Sequence, residues 1–172
     1  LKKQKALQSA INTNLESFKE KGTNGIYKMQ GAAVCIDNKN GRVVAIVGGR
    51  SQKTSGYTLN RAYQSFRQPG SSIKPLIDYT PSLERNYTPD STVNDHKFSG
   101  GPSNASGRYY GHVSLRFALE QSLNTVAWQL FEELTPKVGL QYLLNMHFSK
   151  IVKKDYINAA SIGGMTYGCS AL

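Results

Sequence analysis

The chain has 172 residues, of which 39% are hydrophobic and 19% are charged, so it can bury a sizeable core and extensive disorder is excluded. Its net charge of +10 suggests anionic surroundings, but the basic residues stand singly or in pairs without an RNA-binding signature, which argues against direct nucleic-acid binding. Cys35 and Cys169 give neither a metal-ligand spacing nor a disulfide framework, and we expect no metal and no cofactor. No signal peptide and no apolar run of membrane-spanning length occur, so any export signal would have been removed or would lie upstream.

The N-terminal part is predicted to begin with one helix. Four apolar residues at helical spacing indicate an amphipathic helix over residues 2–20, which Gly22 and Gly25 would end. These four residues are Leu7, Ile11, Leu15 and Phe18.

A β-hairpin is predicted next. Its strands are Gln30–Ile36 and Arg42–Val47, with Asn40-Gly41 at the turn. The apolar residues run continuously rather than alternating with polar ones, so both strands are expected to be largely buried, with Cys35 acting as a small hydrophobe.

The remainder of the chain reads as mainly helical, with no further strand evident. A short helix is predicted over Ser71–Tyr79, and residues 81–112 are predicted to form a long ordered loop of the kind that often carries function. Three more helices are expected, and Pro136 is well placed to start the last of them. They are Ser114–Gln121, Val126–Leu134 and Val138–His147. Residues 162–168 are glycine-rich and predicted to be irregular.

Ser71 and Lys74 form a Ser-x-x-Lys motif directly after a Pro-Gly break that can open a helix. Because residues three apart share one helix face, Lys74 is expected to lie within hydrogen-bond reach of Ser71, whereas Ser72 lies on another face. A buried amine that is partly neutral can activate a serine hydroxyl. The alternative interpretation is that Ser71 merely caps the helix.

Ser122 and Asn124 form a Ser-x-Asn motif at the predicted connection between two helices. Such a connection can present the hydroxyl and the amide on the same side of the chain. The alternative is that both residues are simple helix caps, since Ser and Asn are favoured at helix ends.

Together, in this order and about fifty residues apart, the two motifs resemble those of the penicillin-recognising serine acyltransferases, which include penicillin-binding proteins and serine β-lactamases. The surrounding sequence is similar to the class A, bifunctional penicillin-binding proteins over essentially the whole chain. Two segments, Gly31–Asp37 and Gly41–Gly49, resemble the hairpin that precedes the nucleophile in high-molecular-weight penicillin-binding proteins. The class A subgroup is resembled by Asn60–Ala62, Arg67–Gly70, Gly163-Gly164 and Thr166–Gly168. The implied fold is the α/β (α+β) transpeptidase and β-lactamase-like fold.

The resemblance implies a role for each motif residue. Ser71 would be the acylated nucleophile, Lys74 its general base and Ser122 a proton relay to the leaving amine. Asn124 would hydrogen-bond the peptide amide of the substrate, and the backbone N–H of Ser71 would supply half of the oxyanion hole.

One family element is missing from the sequence. No Lys-Thr-Gly follows Ser122, and the similar string Lys53–Gly56 precedes the nucleophile and has one residue too many. We therefore expect residues 1–172 to be a partial transpeptidase domain that lacks its C-terminal strands. Residues 1–50 would form the helix and hairpin of its α/β part, and residues 71–172 the mainly helical part with both motifs. The remainder of the domain would be a partner, and a separate chain is one way to supply it.

The implied activity is that of a serine D,D-transpeptidase or carboxypeptidase, which crosslinks peptidoglycan stem peptides ending in D-Ala-D-Ala and is acylated by β-lactams. The implied location is the extracytoplasmic face of the bacterial cytoplasmic membrane. The resemblance also implies a membrane anchor and a glycosyltransferase domain upstream in the sequence. A serine β-lactamase and a non-catalytic β-lactam sensor of the same fold remain alternatives. A basic envelope-binding module without catalysis is another.

Overall fold

The computed structural model describes residues 1–23, 25–51 and 58–172, and its contacts divide the chain into two units. The first unit comprises Leu1–Arg67 with Ser170–Leu172, and the second comprises Gln68–Cys169. None of the helices in the described ranges combines the length and apolar character that a bilayer span requires.

Helix α1 of the first unit covers Lys2–Asn14 and is therefore shorter than predicted. The predicted end near Gly22 is wrong, because Asn12, Thr13 and Asn14 are poor helix formers and the Asn14 side chain donates to the carbonyl oxygen of Ala10 at 2.9 Å. Phe18 lies beyond the helix and is 47% exposed.

The predicted hairpin is confirmed, with β1 at Ala33–Asp37 paired antiparallel to β2 at Arg42–Val47. Gly41 closes the turn at φ +69° with its N–H donating to the Asp37 carbonyl oxygen at 2.8 Å. The expected burial is wrong, since only Ala45 and Val47 of these two strands are buried. Side chains alternate between the two faces of a strand, and Ile36 and Val43 lie exposed.

Side-chain hydrogen bonds join the elements of the first unit. The amide of Gln4 in α1 donates to the Ile46 carbonyl oxygen at 2.7 Å and accepts from the Ile46 N–H at 2.9 Å. Helix α2, Arg61–Gln64, begins at Asn60, whose side chain accepts from the N–H of Ala62.

The predicted helix at Ser71 is confirmed, and it continues to Leu83 in three successive segments. A 3-10 segment at Gly70–Ile73 is followed by a π segment at Pro75–Tyr79 and by α3 at Thr80–Leu83. We call these three segments together the Ser71 helix. Pro75 and Pro81 have no N–H to donate, and the N–H of Thr80 reaches back five residues to the Pro75 carbonyl oxygen.

The interpretation of residues 81–112 as a loop without strands is wrong. Strand β3 at Thr92–Asp95 pairs antiparallel with β4 at Gly111–Ser114 in a second two-stranded sheet. Each strand has only four residues and a single apolar side chain, so neither produces a recognisable hydrophobic alternation.

The three later helices are confirmed within a few residues. Helix α4 covers Leu115–Glu120, α5 covers Asn124–Leu134 and α6 covers Pro136–Asn145. Pro136 occupies the first position of α6, as expected. The Ser114 side chain caps α4 by accepting from the Phe117 N–H. Two 3-10 turns follow, Lys153–Asp155 and Asn158–Ile162, before the irregular glycine-rich segment.

Two hydrophobic clusters form the core of the second unit. One joins the Ser71 helix to α5, α6 and the last 3-10 turn, and its buried members are Ile73, Ile77, Phe131, Leu140, Leu143, Ala160 and Met165. The other lies around α4 and the start of α5, with Tyr79, Leu115, Ala118, Leu123, Val126 and Leu130. Both clusters include side chains of the Ser71 helix, which fixes this helix in the middle of the unit.

A close backbone approach fixes the beginning of the Ser71 helix. Gly163 has φ +84°, and a Cβ built on it would lie 2.3 Å from the nitrogen and 2.4 Å from the Cα of Gly70. Only a glycine fits such a contact. The segment after the last 3-10 turn thus packs directly on the backbone next to Ser71.

We therefore expect Gly163→Ala to lower the free energy of unfolding by about 3 kcal/mol or more, because the strain of a positive φ adds to a backbone collision. Gly107→Ala is the matched control: Gly107 has φ +69° but no atom within 4 Å of an added Cβ, so the expected loss is about 1 kcal/mol. Urea unfolding of the full-length protein that contains these residues measures both. Equal losses of unfolding free energy in the two variants would show that the close approach of Gly163 to Gly70 does not contribute to stability.

Candidate active site

Lys74 is the central residue of the candidate site. Its side chain is 1% exposed, and its amine makes three hydrogen bonds to the Ser-x-Asn motif. The distances from Lys74 Nζ are 2.8 Å to the Ser122 carbonyl oxygen, 3.2 Å to Ser122 Oγ and 2.6 Å to Asn124 Oδ1. The structure thus brings three of the four predicted site residues into direct contact.

The connection between α4 and α5 presents this motif to the amine. Leu123 is 1% exposed and belongs to the second hydrophobic cluster, so it anchors the connection in the core. Ser122 adopts φ +52°, a conformation that non-glycine residues rarely take. The hydroxyl of Ser122 and the amide of Asn124 consequently point to the same amine, and neither side chain caps α5.

The hydrogen-bond inventory of the amine fits both of its protonation states. The Ser122 carbonyl oxygen and Asn124 Oδ1 can only accept, so a neutral amine donates its two N–H groups to them. Its lone pair then faces Ser122 Oγ, whose hydroxyl can donate. When the amine takes up a proton, Ser122 Oγ accepts instead. Ser122 can therefore exchange a proton with Lys74 while both remain hydrogen-bonded.

Burial lowers the pKa of Lys74 from 10.5 to about 8, because an ammonium ion loses its hydration there, while the nearby Asp78 carboxyl acts in the opposite direction. At neutral pH a neutral fraction of roughly one in ten follows from such a pKa. This is the property that a lysine general base requires.

Ser71 lies at the start of the Ser71 helix, one turn before Lys74, and it is exposed. Its hydroxyl makes no hydrogen bond to any described residue, so the predicted contact with Lys74 is not formed in this state. Ser72, which is also exposed, donates its hydroxyl proton to the Pro69 carbonyl oxygen at 2.7 Å. The backbone N–H of Ser71 belongs to the first helical turn, where N–H groups have no intrahelical acceptor.

Sequence reasoning missed Asn104 and Asp95, which support the Ser-x-Asn motif from the segment before β4. Asn104 is 4% exposed, and its Oδ1 accepts from the N–H groups of Asn124 and Thr125 at 2.8 and 3.3 Å. Asp95 Oδ1 accepts from Asn104 Nδ2 at 2.7 Å. The available signal was the long polar segment itself, which was expected to be functional but pointed to no particular residue.

Sequence reasoning also missed Asp78, four residues after Lys74. Its side chain is fully buried, and neither carboxyl oxygen has a hydrogen-bond partner among the described residues. Burial raises the pKa of Asp78 well above its ordinary value of 3.8, against the smaller opposing effect of Lys74. Asp78 therefore keeps its proton to a higher pH than a solvent-exposed carboxyl does.

Further contacts hold the segments that flank Ser71. Gln68 donates from Nε2 to the Met165 carbonyl oxygen at 3.0 Å. Asp155, which is 1% exposed, accepts from the N–H and the hydroxyl of Thr166 at 2.7 Å each and from the Val152 N–H at 2.9 Å. Burial acts to raise the pKa of Asp155, but these hydrogen bonds outweigh it and lower the pKa below 3.8.

Two sequence features lie outside this geometry. The string Lys53–Gly56 lies outside the described residues. Within the described ranges, no group of three or more His, Cys, Asp or Glu side chains is arranged to hold a metal ion.

A buried lysine in contact with a Ser-x-Asn motif, one turn after a serine at a helix start, is the arrangement expected of a serine acyltransferase. Comparison with protein families agrees with this class. Residues 31–166, more than half of the chain, match the penicillin-binding protein transpeptidase domain. The chain belongs to this family.

Curated relatives are similar in sequence. Penicillin-binding protein 4 of Bacillus subtilis is 38% identical over 148 residues, which are 84% of this chain and 23% of that protein. Penicillin-binding protein 1A of Clostridium acetobutylicum is 37% identical over 147 residues, 76% of this chain and 18% of that protein. The chain thus spans about a fifth of the length of these relatives. The predicted resemblance to class A penicillin-binding proteins is confirmed.

Solved structures share the fold. The crystal structure of penicillin-binding protein 1A from Haemophilus influenzae superposes with a TM-score of 0.70 at 30% identity, over 86% of this chain and 23% of that one. PonA1 from Mycobacterium tuberculosis gives a TM-score of 0.70 at 22% identity, over 97% of this chain and 44% of that one, and shows likeness of fold alone. The predicted α+β fold class of the penicillin-recognising proteins is confirmed.

Asp78→Asn tests whether burial raises the pKa of the Asp78 carboxyl. The folded protein keeps this carboxyl protonated over a pH range in which the unfolded chain has released the proton, so the contribution of Asp78 to stability falls as pH rises above 3.8. Asparagine has the same shape and does not titrate. We expect the free energy of unfolding of Asp78→Asn, relative to the unsubstituted protein, to increase as pH is raised from about 4 to about 7.

Asp155→Asn is the control, and its expected pH trend is opposite. The lowered pKa of Asp155 contributes stability that is present above 3.8 and lost as pH falls below that value. The free energy of unfolding of Asp155→Asn should therefore lie below that of the unsubstituted protein at neutral pH, and the difference should shrink only in acid. If the two variants followed the same trend in urea unfolding at several pH values, burial would not raise the pKa of Asp78.

Proposed function

We propose that this chain provides the acylation site of a serine D,D-transpeptidase that crosslinks peptidoglycan stem peptides, with Ser71 as nucleophile. The observation that carries the proposal is the buried Lys74 amine, which contacts Ser122 and Asn124 one helical turn from an exposed serine. The family match of residues 31–166 supports the same activity. Substrate, partners and activity of the whole protein are part of this proposal.

In the acylation step the neutral Lys74 amine takes the proton of the Ser71 hydroxyl while Ser71 Oγ bonds to the carbonyl carbon of the penultimate D-Ala. The carbonyl π electrons move to the oxygen, and the backbone N–H of Ser71 is one donor for this oxyanion. The electron pair then returns, the C–N bond breaks and D-Ala leaves. Its amine takes a proton from the Ser122 hydroxyl, which is replenished from the Lys74 ammonium at 3.2 Å.

Transfer to the acceptor reverses these proton movements. An amine of a second stem peptide attacks the ester carbonyl carbon, gives up a proton along the same path and releases Ser71 Oγ. Asn124 has a donor for the substrate backbone, since one N–H of its amide goes to the Ser103 carbonyl oxygen at 2.9 Å and the other bonds to none of the described residues, so it can reach a peptide carbonyl.

β-Lactams are proposed as ligands because they would acylate the same serine. The mainly helical residues 71–172 carry all four site residues, and the other part of the transpeptidase domain is proposed as the partner that completes the site. The proposed location is the outer face of the bacterial cytoplasmic membrane. The net charge of +10 suits the anionic envelope found there.

Ser71→Ala tests the nucleophile, with Ser72→Ala as the matched control. A fluorescent penicillin should label the full-length protein and Ser72→Ala at comparable rates, since the Ser72 hydroxyl only bonds the Pro69 carbonyl oxygen. Ser71→Ala should lose labelling at least a thousandfold, because Ser71 is the hydroxyl residue that lies one turn before Lys74 on the Ser71 helix. Labelling is followed by gel fluorescence, and the adduct is located by mass spectrometry of peptides.

Two outcomes would contradict the proposal. Persistent labelling of Ser71→Ala would remove Ser71 from its role. An adduct on Ser71 that hydrolyses within seconds would favour a β-lactamase, because a transpeptidase keeps its penicilloyl ester far longer.

A further inference from the structure

Helix α5 begins without a local cap. The residue at its cap position is Leu123, an apolar residue of the core that cannot accept a hydrogen bond through its side chain. The first N–H groups of a helix nevertheless need acceptors. Asn104, twenty residues before the helix, supplies one: its Oδ1 accepts from Asn124 N at 2.8 Å and from Thr125 N at 3.3 Å.

The amide of Asn104 is fixed in a single orientation. Its Nδ2 donates to Asp95 Oδ1 at 2.7 Å and to the Arg108 carbonyl oxygen at 2.8 Å. Both N–H groups and both lone pairs of the amide are thereby engaged, and the side chain is almost fully buried. A flipped amide would place its oxygen against the Asp95 carboxylate and its N–H groups against those of α5.

Asp95 connects this amide to the second sheet. It is the last residue of β3 and is 1% exposed. Its Oδ2 accepts from the Tyr110 N–H at 2.8 Å, and its Oδ1 accepts from the Thr125 hydroxyl as well as from Asn104. A continuous chain of buried hydrogen bonds thus runs from the sheet through Asp95 and Asn104 to the start of α5.

The remote cap has a direct consequence for the Ser-x-Asn motif. Ser and Asn side chains near a helix start often accept from its first N–H groups. Because Asn104 accepts from these N–H groups, the Ser122 hydroxyl and the Asn124 amide oxygen remain available to the Lys74 amine. The neighbouring Ser103 carbonyl oxygen holds the nitrogen of the same Asn124 amide at 2.9 Å and so fixes which atom faces Lys74.

We propose that Asn104, held by Asp95, is a positioning residue that sets Ser122 and Asn124 against Lys74 for acyl transfer. The proposal rests on the proposed function, since it assigns Asn104 an effect on the rate of acylation. Asn104 touches neither the substrate nor the reacting atoms. It acts through the backbone of Asn124, whose side chain contacts the Lys74 amine.

Asn104→Asp is the discriminating variant. It keeps oxygen acceptors for the N–H groups of α5 but replaces the donor to Asp95 by a second carboxyl group, so the side chain is forced away from its place. In the full-length protein, the first-order rate constant of acylation by a fluorescent penicillin should fall about tenfold or more, while the dissociation constant of the noncovalent complex changes less than about threefold.

The double variant Asn104→Asp with Asp95→Asn is the rescue. It exchanges donor and acceptor between the two side chains, so the pair can again hydrogen-bond. The carbonyl oxygen of Arg108 still loses its donor, and recovery should be partial. We expect acylation to be about threefold or more faster in the double variant than in Asn104→Asp.

Gln129→Met is the matched control for stability. Gln129 in α5 donates to the Asn94 carbonyl oxygen at 3.0 Å, so it also joins α5 to β3, but farther along the helix and without touching Asn104. The acylation rate constant of Gln129→Met should stay within about twofold of that of the unsubstituted protein. Urea unfolding shows whether Asn104→Asp and Gln129→Met lower the free energy of unfolding by similar amounts.

The results separate this inference from the proposed function. Acylation of Asn104→Asp at the unsubstituted rate, a loss of rate equal to that of Gln129→Met, or no recovery in the double variant would overturn the positioning role and leave Ser71 untouched. An unsubstituted protein that forms no adduct on Ser71 would overturn both.

Discussion

The enclosure of the Lys74 amine by the Ser-x-Asn motif is the interaction on which the rest of the second unit depends. An amine removed from water is costly unless its N–H groups find acceptors. Here the acceptors are a backbone carbonyl, a hydroxyl and an amide oxygen, none of which carries a charge. Because these acceptors are neutral, the lowering effect of burial on the Lys74 pKa outweighs the raising effect of the nearby Asp78 carboxyl.

The surrounding structure supplies rigid positions for the groups that meet at this amine. Gly163 packs on the backbone of Gly70 and fixes the start of the helix that carries Ser71 and Lys74. Leu123 anchors the Ser-x-Asn connection in the core. Asn104 accepts from the first N–H groups of α5 and leaves the motif side chains to the lysine. Local strain at Ser122, with φ +52°, is thus held by the packing of Leu123 and by the hydrogen bonds of Lys74 and Asn104.

Sequence patterns predicted the features that depend on local chemistry. The turn at Gly41 and the start of α6 at Pro136 follow from backbone preferences and were predicted correctly. The two motifs also indicated the site, because their residue types suit acyl transfer. The pairing of β3 with β4 could not be predicted, since four-residue strands with one apolar side chain carry no alternation. Asn104 acts through contacts with residues twenty positions further along the chain, which no short spacing encodes.

Direct titration of the Lys74 side chain tests the central claim. In the full-length protein with ¹⁵N-labelled lysine, Nζ chemical shifts assigned by comparison with Lys74→Arg give its pKa. The account predicts a value of about 8, because burial opposes the ammonium form, and a parallel rise of the Ser71 acylation rate as pH passes that value. A Lys74 amine that titrates near its ordinary value of 10.5, with acylation already at its maximum near neutral pH, would contradict it.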